Sequence, residues 1–112
     1  MERRTYERLP IHVDCVIINK DSNTECKGSL CDISEGGMGF ILDDIDPPKI
    51  GDRCSVQFID SFERHTFVIS EYIRVNNVAK SSKTGTRVGG VFCNKISEPC
   101  LNYIRMISAT LF

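Results

Sequence analysis

Hydrophobic and polar residues alternate along most of this chain with the period of β-strands, and the period changes once, near the end. From Ile11 to Ile18 the chain reads Ile-His-Val-Asp-Cys-Val-Ile-Ile. Ile11, Val13, Cys15 and Ile17 share one face, the pattern of a half-buried strand. Asn19 to Thr24 is a polar turn cluster, and Glu25 to Cys31 returns as a second strand. Asp32-Ile33-Ser34-Glu35-Gly36-Gly37 has turn chemistry and ends it. Met38 to Leu42 is a short third strand, followed by a loop from Asp43 to Gly51 with two prolines. Arg53 to Ile59 forms a fourth, in which Cys54, Val56 and Phe58 alternate with Ser55 and Gln57. Arg64 to Val75, rich in β-branched and aromatic residues, forms a fifth. Asn76 to Gly85 is polar and reads as a hairpin loop, and Thr86 to Cys93 makes a sixth strand around Gly89-Gly90. Paired glycines inside a strand predict a bulge, a sharp bend, or close approach of a backbone or ligand.

Beyond Cys93 the period becomes helical. Ser97-Glu98-Pro99 has the form of a helix start, with serine as N-cap and proline in the first turn. Cys100, Leu101, Ile104, Ile107, Ser108 and Leu111 then recur at helical spacing. Six short strands and one amphipathic helix predict an all-β, six-stranded antiparallel barrel with a C-terminal helix against an open end. Closing the sheet removes its exposed edges. Residues 1–9 read as a charged N-terminal arm and residues 10–112 as the barrel with its helix.

Composition narrows this picture. At 112 residues and 12.6 kDa the chain has the size of one domain. No apolar run approaches the roughly 18 residues of a membrane span, and the N-terminus lacks the apolar stretch of a secretory signal. The expectation is a soluble, cytoplasmic protein with no membrane insertion. The six cysteines, at 15, 26, 31, 54, 93 and 100, form no Cys-x-x-Cys pair, and His12 and His65 are far apart. Neither spacing matches a zinc pattern. The cysteines read as reduced thiols packed like small hydrophobes, with no metal site. Catalysis needs a positioned nucleophile, base or metal, and no such set is visible, so no catalytic residue is assigned.

The net charge of −1 is unevenly spread. Residues 1–31 hold five basic and five acidic groups, residues 32–63 two and eight, and residues 64–112 seven and two. A near-neutral chain with an acidic middle third lacks the strong positive field of a general DNA or RNA binder. A single-stranded nucleic-acid barrel would also want a basic groove with aromatic platforms. A small anionic ligand held by a few placed arginines is compatible with this charge balance.

Two clusters carry such chemistry. Arg3-Arg4-Thr5-Tyr6-Glu7-Arg8 reads either as a solvated terminal arm or as an anion clamp. Guanidinium is planar and forked; it pairs with phosphate oxygens and with the O6 and N7 acceptors of guanine. Asp32-Ile33-Ser34-Glu35-Gly36-Gly37 reads either as a tight turn or as part of a binding surface. In the second reading, the Asp32 carboxylate accepts from the N–H groups of a purine edge and Ser34 offers a hydroxyl. Gly36 and Gly37 permit left-handed dihedrals and close backbone approach.

Taken together, Arg4-x-x-x-Arg8 and Asp32-x-Ser34-x-x-Gly37, in a six-strand chain, resemble the PilZ domain family. Arg3 supplies the double arginine that often opens its first motif. Gly89-Gly90-Val91-Phe92 resembles the glycine-rich strand near the end of such domains, and the last helix is in the expected place. The resemblance implies a bacterial receptor for cyclic di-GMP, bound as a ligand without further cofactor. Arg4, Arg8, Asp32, Ser34 and Gly37 are the implied ligand-binding residues, with Arg3 and Gly36 as secondary candidates. Glu7 and Glu35, at variable positions, add negative charge against a dianion. The arm is expected to order over the ligand, making binding a conformational signal to an unidentified effector protein. The protein is expected to be a monomer or homodimer. The alternative is a PilZ-like protein–protein adaptor that binds no nucleotide, since a fold does not guarantee a function.

Overall fold

The computed structural model describes residues 8–43, 46–62, 64–81 and 85–111. Six strands are followed by one helix: β1 (Leu9–Asn19), β2 (Thr24–Ile33), β3 (Gly37–Leu42), β4 (Arg53–Phe62), β5 (His65–Ser81), β6 (Gly85–Phe92) and α1 (Glu98–Leu111). All pairings are antiparallel, in the order β1-β2-β3-β6-β5-β4. A short ladder of Val16–Asn19 against Cys54–Gln57 joins β4 back to β1 and closes the barrel-like sheet. The expected fold class is therefore the observed one.

The alternation works as anticipated. Leu9, Cys15, Ile17, Leu30, Ile33, Met38, Phe40, Leu42, Cys54, Val56, Phe58, Ile69, Ile73, Val75 and Val88 fill the interior. Ile11 and Val13 pack against them half-buried. The helix starts as its sequence indicates, with the Cys100 amide donating to Ser97 Oγ at 3.4 Å. It buries Cys100, Tyr103, Ile104 and Ile107. Tyr103, absent from the expected stripe, is fully buried edge-on to Phe58 and Phe67, with its hydroxyl donating to Asp60 at 2.7 Å. Burial and the neighbouring carboxylate push the phenol well above its usual pKa.

Several strand limits differ from expectation. Asn76 to Ser81 belong to β5: Asn77, Val78, Ala79 and Lys80 pair with Gly89, Val88, Arg87 and Thr86. Their polar composition suggested a loop, but an antiparallel strand keeps one face in water, where polar residues are tolerated. Arg64, taken as the first residue of the fifth strand, has φ of 73° and stands in the turn before it. Asp32 and Ile33 are the last residues of β2, and Gly37 is the first of β3, so the turn itself is only Ser34 to Gly36. No helix among the described residues is long and apolar enough to cross a membrane.

Candidate functional site

Three irregularities in strand pairing surround the second motif. In β2, Leu30 pairs with Phe40 and Asp32 with Gly39, so Cys31 is an extra residue against β3. In β1 the register shifts between Pro10 and Val13, which pair with Asp32 and Leu30. In β5 the shift falls at Asn76, between Val75 opposite Gly90 and Asn77 opposite Gly89. Leu30 and Asp32, two apart, would share a face in a regular strand. The bulge separates them. Leu30 points into the core, while Asp32 stands on the outside, on the same face as Gly39.

The outward row through Asp32 is almost free of side chains. Asp32 pairs with Gly39, Gly39 with Gly89, and Gly89 with Asn77. A Cβ on Gly39 would stand 2.8 Å from the Asp32 carboxylate, so glycine leaves room for the acid to lie across β3. A Cβ on Gly89 would meet nothing closer than 3.6 Å. The Asp32 carboxylate fills the space over Gly39, so the open shelf of this row lies at Gly89, between Asp32 and Asn77. The paired glycines of β6 combine two of the anticipated roles. Gly89 lies opposite a bulge, and Gly90 allows close approach, since its Cβ would press on Ile73 and the Arg74 carbonyl.

Asp32 is nearly buried although it faces outward, because Arg87 of β6 lies over it. The Arg87 Nη2 donates to Asp32 Oδ2 at 2.5 Å, and the Arg87 side chain remains 46% exposed. Arg87 was not anticipated. It stands fifty-five residues from Asp32, outside both motifs, and only the β2-β3-β6 pairing brings the two together.

Ser34 does not present a free hydroxyl to the surface. Its Oγ accepts from the amides of Gly36 and Gly37 at 3.1 and 3.2 Å, and its own amide donates to the Gly37 carbonyl at 2.9 Å. This self-bonded turn is itself tied to β6 by the Phe92 amide donating to the Gly36 carbonyl. Gly36 and Gly37 are not among the glycines with left-handed dihedrals, which are Gly51 and Gly85. The expectation of such dihedrals is corrected: the turn closes through Ser34 Oγ without them. Close approach does hold for Gly37, where a Cβ would collide with the Gly90 carbonyl oxygen.

The first motif lies only partly within the described residues. Arg3 and Arg4 lie outside them, as does Glu7. Arg8 is described and exposed. It directly precedes Leu9, which pairs with Ile33. Antiparallel continuation sets Arg8 beside Ser34, at the same edge as the turn. The two motif ends, distant in sequence, are thus neighbours across β1 and β2.

Other chemistry is sparse. No three His, Cys, Asp or Glu side chains among the described residues form a metal-binding group. None of the six cysteines forms a disulfide. Burial raises the Cys15, Cys54 and Cys100 thiols to about 12, the behaviour of core residues. Cys93 is exposed, against the expectation that all six pack inside. Cys31, at the bulge, is half-buried, and burial raises its pKa too. A groove of about 890 Å³ opens where β1 and β4 part, lined by Asp14, Lys27, Phe58, Ile59 and Val68 among others. It contains none of the motif residues, and the chemistry for an anion lies on the glycine shelf instead.

The sequence matches the PilZ domain family over residues 2–108, and the chain belongs to that family. A search of curated protein sequences finds no relative. Among solved structures, the chain is similar to the Bacillus subtilis inhibitor of motility (MotI/DgrA), with 19% identity and a TM-score of 0.79. That match covers 99% of this chain and 53% of the other, so this chain spans about half its length. The PilZ domain of YcgR from Escherichia coli, solved with c-di-GMP, matches at 21% identity and a TM-score of 0.69, covering 98% of this chain and 92% of that one. The K. pneumonia MrkH–c-di-GMP complex matches at 16% identity and a TM-score of 0.55, covering 99% and 51%. At these identities the likeness is one of fold.

Proposed function

We propose that this chain is a receptor for cyclic di-GMP that acts as a non-enzymatic adaptor. The observation that carries the reading is the position of Arg8, the end of the first motif, beside the second. Arg8 directly precedes Leu9, which pairs with Ile33, so Arg8 stands at the same barrel edge as Asp32 and the Ser34 turn. Beside that edge, next to Asp32, the wall is open at Gly89, where a Cβ would meet nothing closer than 3.6 Å. Family membership and the bound dinucleotide in the YcgR and MrkH structures support the same reading.

In this mechanism Arg4 and Arg8, with Arg3, hold phosphates and guanine acceptor edges by paired N–H donors. The Asp32 carboxylate accepts from a guanine's N–H groups. Ser34 acts mainly through the turn it holds closed, since its Oγ already accepts two amides. Gly37 brings the turn against β6, and the Gly36 carbonyl ties it there by accepting from Phe92. Binding ties the arm to the turn, and that change of surface signals to an effector protein.

Calorimetric titration of the full chain with cyclic di-GMP, with GTP and a short RNA as controls, tests the reading. Selective, saturable binding of cyclic di-GMP is the expected result. No binding would overturn it in favour of a protein–protein adaptor, and equal binding of RNA in favour of a nucleic-acid barrel.

A further inference from the structure

Arg87 belongs to neither motif, yet it makes the one close ion pair that Asp32 has among the described residues. Its position is set by the sheet: it lies two residues before Gly89 on β6, on the same outward face, and pairs with Ile41 across β3. Asp32 pairs with Gly39, one row along. The ion pair is therefore diagonal across β3, and Gly39 is the gap through which it forms, since any larger residue there would press on the carboxylate.

We infer that Arg87 and Asp32 act as one composite reader of the guanine base, with Arg87 as a specificity-determining residue. The inference rests on the cyclic di-GMP reading above. Guanine presents along one edge an acceptor, O6, followed by two donors, N1–H and the N2 amino group. A guanidinium has five N–H donors in a fixed plane, of which the contact to Asp32 Oδ2 engages one nitrogen. A carboxylate has about four acceptor sites, so Asp32 can keep Arg87 and still accept from a base. Side by side, the pair offers donor, acceptor, acceptor, which complements guanine in order. Adenine presents an amino donor where guanine has O6 and an acceptor where guanine has N1–H. It would set donor against Arg87 and acceptor against Asp32. Polar groups left unpaired in this way discriminate strongly between analogues.

The ion pair also explains how an outward carboxylate is held ready. Asp32 is largely shielded from water, while the Arg87 side chain is 46% exposed and reachable from solution. Arg87 fixes the carboxylate across β3, and the exposed part of its fork leaves N–H donors open to a ligand.

The test measures binding of cyclic di-GMP and cyclic di-AMP to the full wild-type chain and to Arg87→Met and Arg87→Lys, with thermal melts to verify folding. Lysine keeps a positive charge for Asp32 but not the planar fork, so it separates reading of the base from support of the acid. Both variants are expected to lose about tenfold or more in cyclic di-GMP affinity, the scale of one specific base contact. Cyclic di-AMP affinity should not fall with it, so the ratio between the two narrows. Wild-type affinity for cyclic di-GMP in Arg87→Lys would overturn the inference, as would equal weakening of both dinucleotides. Either result leaves the receptor reading standing. Failure of the wild-type chain itself to bind cyclic di-GMP removes that reading, and this inference with it.

Discussion

Two turns of the barrel share the same local wiring and face different tasks. Asn19 Oδ1 accepts from the amides of Asp21 and Ser22 at 2.9 and 3.3 Å, two and three residues on. Ser34 Oγ accepts from Gly36 and Gly37 at the same offsets. Each turn also has a carboxylate beside it. At the first, Asp52 Oδ2 accepts from Asn19 Nδ2 and from the Lys49 amide, both at 2.9 Å. At the second, Asp32 is met by a long, half-exposed guanidinium from another strand. The first arrangement ties two chain segments, Asn19–Ser22 and Lys49–Asp52, together through mostly main-chain donors. The second holds its acid with a side chain that can also face a ligand. A side-chain-closed turn is thus the common scaffold, and the partner of the nearby carboxylate separates a structural knot from a recognition site.

The largest effect should come from the turn's fit to β6. Gly37→Ala drives a Cβ into the Gly90 carbonyl, a backbone atom that cannot swing aside. The expected loss is about 3 kcal/mol of stability, the upper range for overpacking a close contact. Gly89→Ala, whose Cβ meets only ordinary contacts, should change stability by no more than about 0.5 kcal/mol. It puts a methyl on the shelf and should weaken cyclic di-GMP binding. Denaturant melts and titrations of both variants measure the contrast. Equal stability of the two would show that the Gly37 contact does not matter to the fold.

Next come the groups proposed to hold the ligand. Arg8→Ala and Asp32→Ala should each weaken cyclic di-GMP binding by about 1–3 kcal/mol, or roughly fivefold to over a hundredfold. Arg8→Ala should leave the melting temperature unchanged, because Arg8 is exposed. Asp32→Ala should lower it modestly, since Arg87 loses its partner but can turn to water. The double variant should lose less than the sum of the two, because both residues face one ligand. Strict additivity would mean that the arm and the turn do not share a site.

Much of the scaffold was legible before any coordinates. Period-two alternation identified β1 and β4, apolar and β-branched runs between turn signals pointed to the other strands, and the Ser97 cap with helical spacing identified α1, because these signals are local. What escaped was set by pairing between distant segments. The Cys31 bulge flips Asp32 relative to Leu30, yet nothing in Leu30-Cys31-Asp32 announces it. Asn76 to Ser81 read as a loop because polar residues dominate, and only their pairing with β6 makes them a strand. The two motifs were visible as residue types, and the register of Leu9 with Ile33 accounts for Arg8 standing beside Ser34. Arg87 carried no sequence signal, being one basic residue in a basic third of the chain, until the sheet order set it over Asp32. Ser34 was visible too, but its hydroxyl serves the turn.

A smaller effect is expected at the first turn. Asn19→Ala removes the acceptor for two amides and the donor to Asp52. By analogy with a lost helix cap it should cost about 1–2 kcal/mol of stability. Cyclic di-GMP affinity should stay at the wild-type level, because none of these contacts reaches the shelf. A loss of affinity comparable to that of Asp32→Ala would erase the distinction between knot and site.

The smallest and most specific prediction concerns acid. The Asp52 carboxyl is held below the usual carboxylate range, first by the Lys49 amide and then by the Asn19 side chain, both donating to its ionised form. A carboxyl with a lower pKa folded than unfolded binds protons more readily in the unfolded chain. Its contribution is therefore present above the unfolded value, near 3.8, and is lost as the pH falls through the lower folded value. Asp52→Asn removes the charge at every pH. The wild-type chain should accordingly melt higher than Asp52→Asn at neutral pH, and the gap should close as the solution is taken from about pH 5 to below pH 3. Melting curves of the two proteins across that range measure it. A gap that stays constant down to the lowest pH would show that the two amides hold Asp52 by shape alone. The knot's carboxylate would then contribute nothing through its charge.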